Sequence, residues 1–149
     1  MGSDVMSKAM RLVLDTNVIV AGLRSPTGAS AKLIDRALSG SFVLVLSVAQ
    51  ALEYEAVCSD PEQRIGSGLS EAEVETIVTA LCAVAEPVAT RFLWRPQLHD
   101  PADEMVLEAA INGAADALVT FNRQDFGRAP ARFGIALLSP REASRELRS

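Results

Sequence analysis

The sequence predicts a doubly wound α/β fold, a parallel five-stranded sheet with helices on both faces. Three observations carry that reading. Short apolar runs of strand length alternate with segments of helical periodicity along the chain. Short polar residues of the kinds that cap helices and form turns stand where one type gives way to the other. At 149 residues the chain is long enough to bury a substantial core, and 49% of it is apolar.

Each element follows from its own stretch. Arg11 to Leu14 is an apolar run that ends in Asp15, a first buried strand. Thr16 and Asn17 suit a helix N-terminus, and Val18 to Leu23 gives a short helical turn. Ser25-Pro26-Thr27-Gly28 is a loop. Ala29 to Leu38 reads as a helix with Ala31, Leu33, Ile34, Ala37 and Leu38 at helical spacing, ended by Gly40. Phe42 to Leu46 is the second strand. Ser47 and Gln50 form a capping box for a helix from Val48 to Cys58. Ser59 to Gly68 is polar and contains Pro and Gly, so a loop is expected. Ser70 and Glu73 form a second capping box, opening a helix to Ala85 with Val74, Ile77, Val78, Leu81 and Val84 facing inward. Pro87 to Phe92 is the third strand, followed by a loop to His99 that carries Trp94. Asp100 caps a helix with Pro101 at its first position, and Gly113 ends it after Asn112. Ala117 to Thr120 is the fourth strand, Asn122 to Arg132 a loop with room for one turn, and Gly134 to Leu138 the fifth strand. Ser139-Pro140-Arg141-Glu142 caps a last helix to Leu147. Right-handed crossovers restrict the topology, and the order 3-2-1-4-5 makes strands 1 and 4 neighbours at a switch point. Ligands bind at that edge in open α/β sheets.

Composition narrows the function. No apolar run approaches the ~18–20 residues of a membrane span. Residues 1–9 are expected to be a disordered extension without secretory character, with residues 10–149 forming one domain. Cys58 and Cys82 are expected to be buried free thiols, consistent with a cytoplasmic protein. A net charge of −5 argues against a broad basic nucleic-acid footprint. An acidic pocket neutralised by metal and rimmed by arginines stays open, and all basic residues but Lys8 and Lys32 are Arg. The single histidine, His99, sits beside Asp100-Pro101 and reads as a loop residue, which argues against a Ser-His hydrolase or a two-histidine ribonuclease.

Three carboxylates converge on the switch point in this arrangement. Asp15 ends strand 1, Glu53 lies on the helix after strand 2, and Asp103 lies in the first turn of the helix before strand 4. Carboxylates without His or Cys suit Mg²⁺ or Mn²⁺, which take oxygen ligands and polarise phosphoryl oxygens. Bland readings compete at each position. Asp15 also suits a helix cap, and Asp103 and Glu104 suit a first turn because of the helix dipole. Glu55 and Glu108 read as surface charges and Asp116 as a loop residue.

Four segments together resemble the PIN-domain family. They are Leu14-Asp15-Thr16-Asn17-Val18, the helix running from Ser47 through Glu53, Asp100-Pro101-Ala102-Asp103-Glu104 with its following apolar residues, and Leu118 to Phe126. The resemblance covers residues 10 to about 142. It implies a three-layer α/β/α sandwich and a metal-dependent ribonuclease acting on single strands, in many bacterial members the toxin of a toxin–antitoxin pair and a homodimer. By matching position it implies that Asp15, Glu53 and Asp103 bind Mg²⁺ or Mn²⁺. Asn17 then helps hold the pocket, and Thr120 supports a fourth position. That fourth position, often Asp in the family, is Asn122 here, with Asp125 close enough in sequence to compensate.

The expected function is therefore a cytoplasmic endoribonuclease that hydrolyses phosphodiesters with metal assistance. Its partners are expected to be RNA, an antitoxin and a second copy of the chain. Arg24, Arg95, Arg123 and Arg128 lie in expected loops and are candidates for phosphate contacts, and Trp94 for stacking on an unpaired base. Two alternatives stand beside it. One is a scaffold that has lost activity, motivated by Asn122. The other is a phosphoaspartyl phosphatase or receiver-like protein with Asp15 as nucleophile, against which Asn17 replaces a second acid and no Lys follows Lys32.

Overall fold

Strand β1 (Arg11–Leu14) is the centre of the sheet in a computed structural model that describes residues 9–89 and 97–148. The remaining elements, in chain order, are α1 (Thr16–Arg24), α2 (Ala29–Leu38), β2 (Val43–Ser47), α3 (Val48–Cys58), α4 (Pro61–Ser67) and α5 (Glu71–Val84). They continue with β3 (Glu86–Val88), α6 (Pro101–Asn112), β4 (Ala117–Val119), α7 (Arg123–Phe126), α8 (Ala129–Arg132), β5 (Ala136–Leu138) and α9 (Pro140–Arg148). The expected extension over 1–8, the distal part of the expected third strand, Trp94 and Arg95 lie outside the described residues.

The five strands are parallel in the order β3-β2-β1-β4-β5, the expected order. Residues alternate between two cores, as the twofold period of a strand requires. Leu12, Leu14, Leu44, Leu46, Ala117 and Val119 point into one core, where they meet α1, α2, α3, α5 and α9. Val13, Val45 and Leu118 point into the other, against α6, α7 and the residues around α8. The result is the three-layer α/β/α sandwich.

Two reciprocal capping boxes form as the sequence predicts. Ser47 and Gln50 open α3, and Ser70 and Glu73 open α5. Ser139 and Glu142 exchange the same pair of bonds at α9.

Four expectations need correction. Ser59–Gly68 is not a loop: Pro61–Ser67 is helical, capped by the Asp60 side chain on Glu62 N, with Pro61 in the first turn and Gly68 left-handed at φ 76°. This helix buries no residue, so it carries no apolar stripe, although its caps are in the sequence. The segment after Asn122 forms two short helices rather than one turn. Val84 is exposed at the end of α5, where the chain leaves the core. Cys58 is a buried free thiol, but Cys82 is exposed.

Tyr54 fixes α3 to the central strand. Its ring is fully buried and its hydroxyl donates to the Leu14 carbonyl, one residue before Asp15. It adjoins Glu53, so one side chain sets the spacing between the helix carrying Glu53 and the strand carrying Asp15. Tyr54→Phe is expected to cost about 1–3 kcal/mol, because it leaves a buried carbonyl without its partner. A urea denaturation midpoint that does not move would refute this.

Candidate acidic site

The strands β1 and β4 end side by side, and their polar successors meet. Asp15 N donates to the Val119 carbonyl at 2.9 Å, and Thr120 N to the Leu138 carbonyl at 3.0 Å, so both residues are held by the sheet as it ends. Asp15 is 8% exposed. Its Oδ1 accepts from Thr16 N and its Oδ2 from Thr120 Oγ1, both at 2.8 Å. Asp15 therefore does cap α1, and its second oxygen faces the loop after β4.

Thr120 is the hub of this arrangement. Its hydroxyl oxygen accepts from Asn17 Nδ2 at 3.3 Å and from Asn122 N at 3.0 Å. Two lone pairs are thus occupied, and its one proton is left for Asp15. Asn17 Oδ1 accepts from Phe121 N at 3.4 Å. Asn17 and Thr120 accordingly hold the β4 loop against α1. Thr120→Val keeps the shape and strips Asp15, Asn122 and Asn17 of a partner. The expected cost is about 1–3 kcal/mol in stability and about 10–100-fold in any metal-dependent activity. Denaturation and cleavage rates measured on the same preparation test both.

Glu53 reaches the same place from α3. Its Oε1 accepts from Thr16 Oγ1 at 3.3 Å, so Thr16 bonds both Asp15, through its N–H, and Glu53, through its hydroxyl. From sequence alone Thr16 reads only as a helix starter. Glu55 is exposed, as expected from its spacing.

Asp103 and Asp125 complete the acidic field. Burial raises the Asp103 carboxyl to about 6, with further upward pushes from Asp100, Asp15, Asp125 and Glu53. Burial likewise raises Asp15, opposed by its bonds from Thr120 and Thr16, and the charges of Glu53 and Asp125 raise it further. Asp103 therefore lies in the field of Asp15, Glu53 and Asp125, and Asp15 in that of Glu53 and Asp125. Glu104 serves the fold instead. Its Oε1 accepts from Gln97 N at 2.8 Å and Leu98 N at 2.9 Å, tying the preceding segment to α6. Asp116 accepts from Arg11 N at 2.7 Å at the opposite edge of the sheet. Glu108 is half-buried, with its acidity lowered by burial, rather than a plain surface charge.

Asn122 is exposed, and its side chain makes no cap bond to α7. Among the described residues, no three His, Cys, Asp or Glu side chains form a ready metal cage. The donors are all oxygen, and the acids repel one another. That chemistry fits a hard cation held by one or two carboxylates, with water filling its remaining positions.

The basic candidates are dispersed. Arg24, at the end of α1, lies over Gly66 of α4, where a Cβ would collide with its guanidinium. Arg123 is paired with Glu142 of α9 at 2.8 Å. Arg128 is exposed ahead of α8. His99 is exposed before α6. Phe121, which the sequence does not single out, is 54% exposed beside Thr120. Its one signal is a lone aromatic in a polar loop at the end of a strand.

Among the described residues, no helix is long and apolar enough to cross a membrane. A family model described as PIN domain matches residues 11–124. A search of curated proteins returned no match.

Proposed function

The chain belongs to the PIN-domain family, and from that membership and the acidic pocket we propose that it is a metal-dependent endoribonuclease that hydrolyses RNA phosphodiester bonds. PIN domains are generally nucleases that act on nucleic acid and use divalent metal ions. The observation that carries the reading is the Thr16–Thr120 framework, which holds Asp15 and Glu53 together at the sheet edge.

Asp15, Glu53 and Asp103 would hold Mg²⁺ or Mn²⁺, with Asn122 and Asp125 beside them. Bound there, the ion would supply Lewis-acid polarisation of a phosphoryl oxygen and lower the pKa of water, so that hydroxide is available as the nucleophile. Thr120 keeps Asp15 oriented, and Thr16 keeps Glu53 facing it. Asn17 fixes the loop after β4 beside these acids. Against a phosphorylated Asp15 stand Asn17 in place of a second acid and the absence of any Lys after Lys32 in the sequence. The setting that fits this reading is a cytoplasmic toxin with an antitoxin partner, acting as a homodimer. A monomer mass by light scattering at micromolar concentration would remove the homodimer.

The test is cleavage of a panel of single-stranded and structured RNAs in Mg²⁺, Mn²⁺ or EDTA. Cuts that need the metal support the reading. Cuts that persist in EDTA overturn its metal requirement. No cuts in any RNA favour the second reading, a scaffold impaired in catalysis, for which Asn122 in place of an acid is the specific observation. Asn122→Asp separates the two. Metal-dependent cleavage restored by that substitution means that the fold still builds the site, and continued silence supports the scaffold.

A further inference from the structure

We propose that a basic groove beside the acidic pocket is the track on which single-stranded RNA leaves the site, with a base stacked on Phe121 and phosphates bound between the α2 N-terminus and Lys32, Arg141 and Arg145. The identity of the ligand rests on the nuclease reading. The groove itself does not.

Two adjoining clefts form it. The first, about 510 Å³, is lined by Ser25, Gly28, Ala29, Ser30, Phe121 and Arg141 among others. The second, about 370 Å³, continues past Gly28, Ala29 and the same Arg141 to Lys32, Ser144 and Arg145. Both have the dimensions of ligand clefts. Gly28 and Ala29, which line both clefts, are small, so a sugar-phosphate backbone can approach the main chain closely there.

Charge and hydrogen bonding in the groove favour an anion. The chain carries a net charge of −5, yet three cations line one cleft. Among the described residues none of the three is ion-paired. Helix α2 spans ten residues, and its cap residue, Gly28, offers no side-chain acceptor to the first-turn N–H groups. Those groups and the positive end of the helix dipole suit an anion. Ser30, in that first turn, is 4% exposed, and among the described residues its hydroxyl has no hydrogen-bond partner. A phosphate oxygen at the helix N-terminus would answer the uncapped N–H groups, and the Ser30 side chain borders the same cleft.

Continuity with the acids favours a nucleic acid over a free anion. Phe121 N bonds Asn17 Oδ1, and the next residue back, Thr120, bonds Asp15. The Phe121 backbone is therefore anchored one residue from the proposed reaction centre while its side chain is half exposed. Stacking on an exposed ring beside a cationic groove is how single strands are held without sequence preference. Arg141 and Arg145 lie beyond residues 11–124, so this wall is built by chain outside the family match.

The test is binding of a fluorescein-labelled 20-nucleotide single-stranded RNA, followed by anisotropy in EDTA so that metal-dependent cleavage does not interfere. Lys32→Ala/Arg141→Ala is expected to weaken binding about tenfold or more, and to flatten the log–log salt dependence by about 1.4, about 0.7 for each lost phosphate contact. Phe121→Ala is expected to weaken it about tenfold. Arg36→Ala/Arg64→Ala, with the same change in net charge, is expected to have little effect. Thermal melts confirm that each variant folds.

Equal losses in the two double variants would overturn the groove, because net charge alone would explain them. Unchanged affinity in Lys32→Ala/Arg141→Ala and in Phe121→Ala would overturn it while leaving the nuclease reading intact, provided the wild type cleaves RNA. No binding by the wild type overturns the groove, and absent cleavage would remove the nuclease reading with it. A poly-glutamate peptide that binds as tightly as RNA would overturn it in favour of an acidic protein partner.

Discussion

Asp15→Asn is expected to lower metal-dependent RNA cleavage by about 10²-fold or more, while the protein stays folded. Two opposing effects set the stability. Both partners of the Asp15 carboxylate are donors, Thr16 N–H and the Thr120 hydroxyl. The hydroxyl cannot turn round, because Asn17 and Asn122 already donate to its oxygen. An amide at position 15 therefore sets its NH₂ against a donor, at a cost of about 1–3 kcal/mol. Against this, the substitution removes a buried negative charge that burial and the neighbouring Glu53 and Asp125 already disfavour. The melting temperature should consequently move little. Single-turnover cleavage beside a thermal melt separates chemistry from folding. Wild-type rates in the variant would show that the cleavage comes from elsewhere, either another site or a contaminating nuclease.

The strands are legible in the sequence because their pattern is simple. A run such as Leu12-Val13-Leu14 feeds both cores alternately, and only a doubly covered sheet accommodates it. Asp15 is legible for the same reason, as the polar residue that ends the central run. Helix α4 is not, because Pro-Glu-Gln-Arg-Ile-Gly-Ser has no apolar stripe and none of its residues is fully buried. Only Asp60, Pro61 and Gly68 mark it, and a loop uses the same residue types. Asp103 and Glu104 illustrate a deeper limit. Both are acids in one first turn, and spacing treats them alike. What separates them is a contact made by folding: Glu104 accepts two backbone N–H groups from residues 97 and 98, while Asp103 is left within the field of Asp15, Glu53 and Asp125. The basic groove is hidden for a similar reason. Lys32 belongs to α2 and Arg141 and Arg145 to α9, and only the packing of those two helices brings them to one cleft.

Asp103→Asn is expected to move stability and activity in opposite directions. Its carboxyl is raised to about 6 in the fold, first by burial and then by Asp100, Asp15, Asp125 and Glu53. Unfolded, it titrates at about 3.9. Between those values the folded state binds more protons than the unfolded chain, so stability falls as pH rises from about 4 to about 6 and is level above that. A neutral Asn escapes this penalty. The shift corresponds to at most about 3 kcal/mol, and because the side chain is only partly buried, solvent screening reduces it to about 1 kcal/mol. In EDTA the variant should accordingly gain about 1 kcal/mol above pH 6 and nothing below pH 4. Mg²⁺ or Mn²⁺ reverses the comparison, since a cation favours the ionised acids and binds the folded state alone. The divalent ion should raise the melting temperature of the wild type more than that of the variant, and the variant should lose about 10²-fold in cleavage. A variant less stable than the wild type at pH 8 without metal would place Asp103 outside the repulsive cluster. The acids would then have to be sought without it, around Asp15, Glu53 and Asp125.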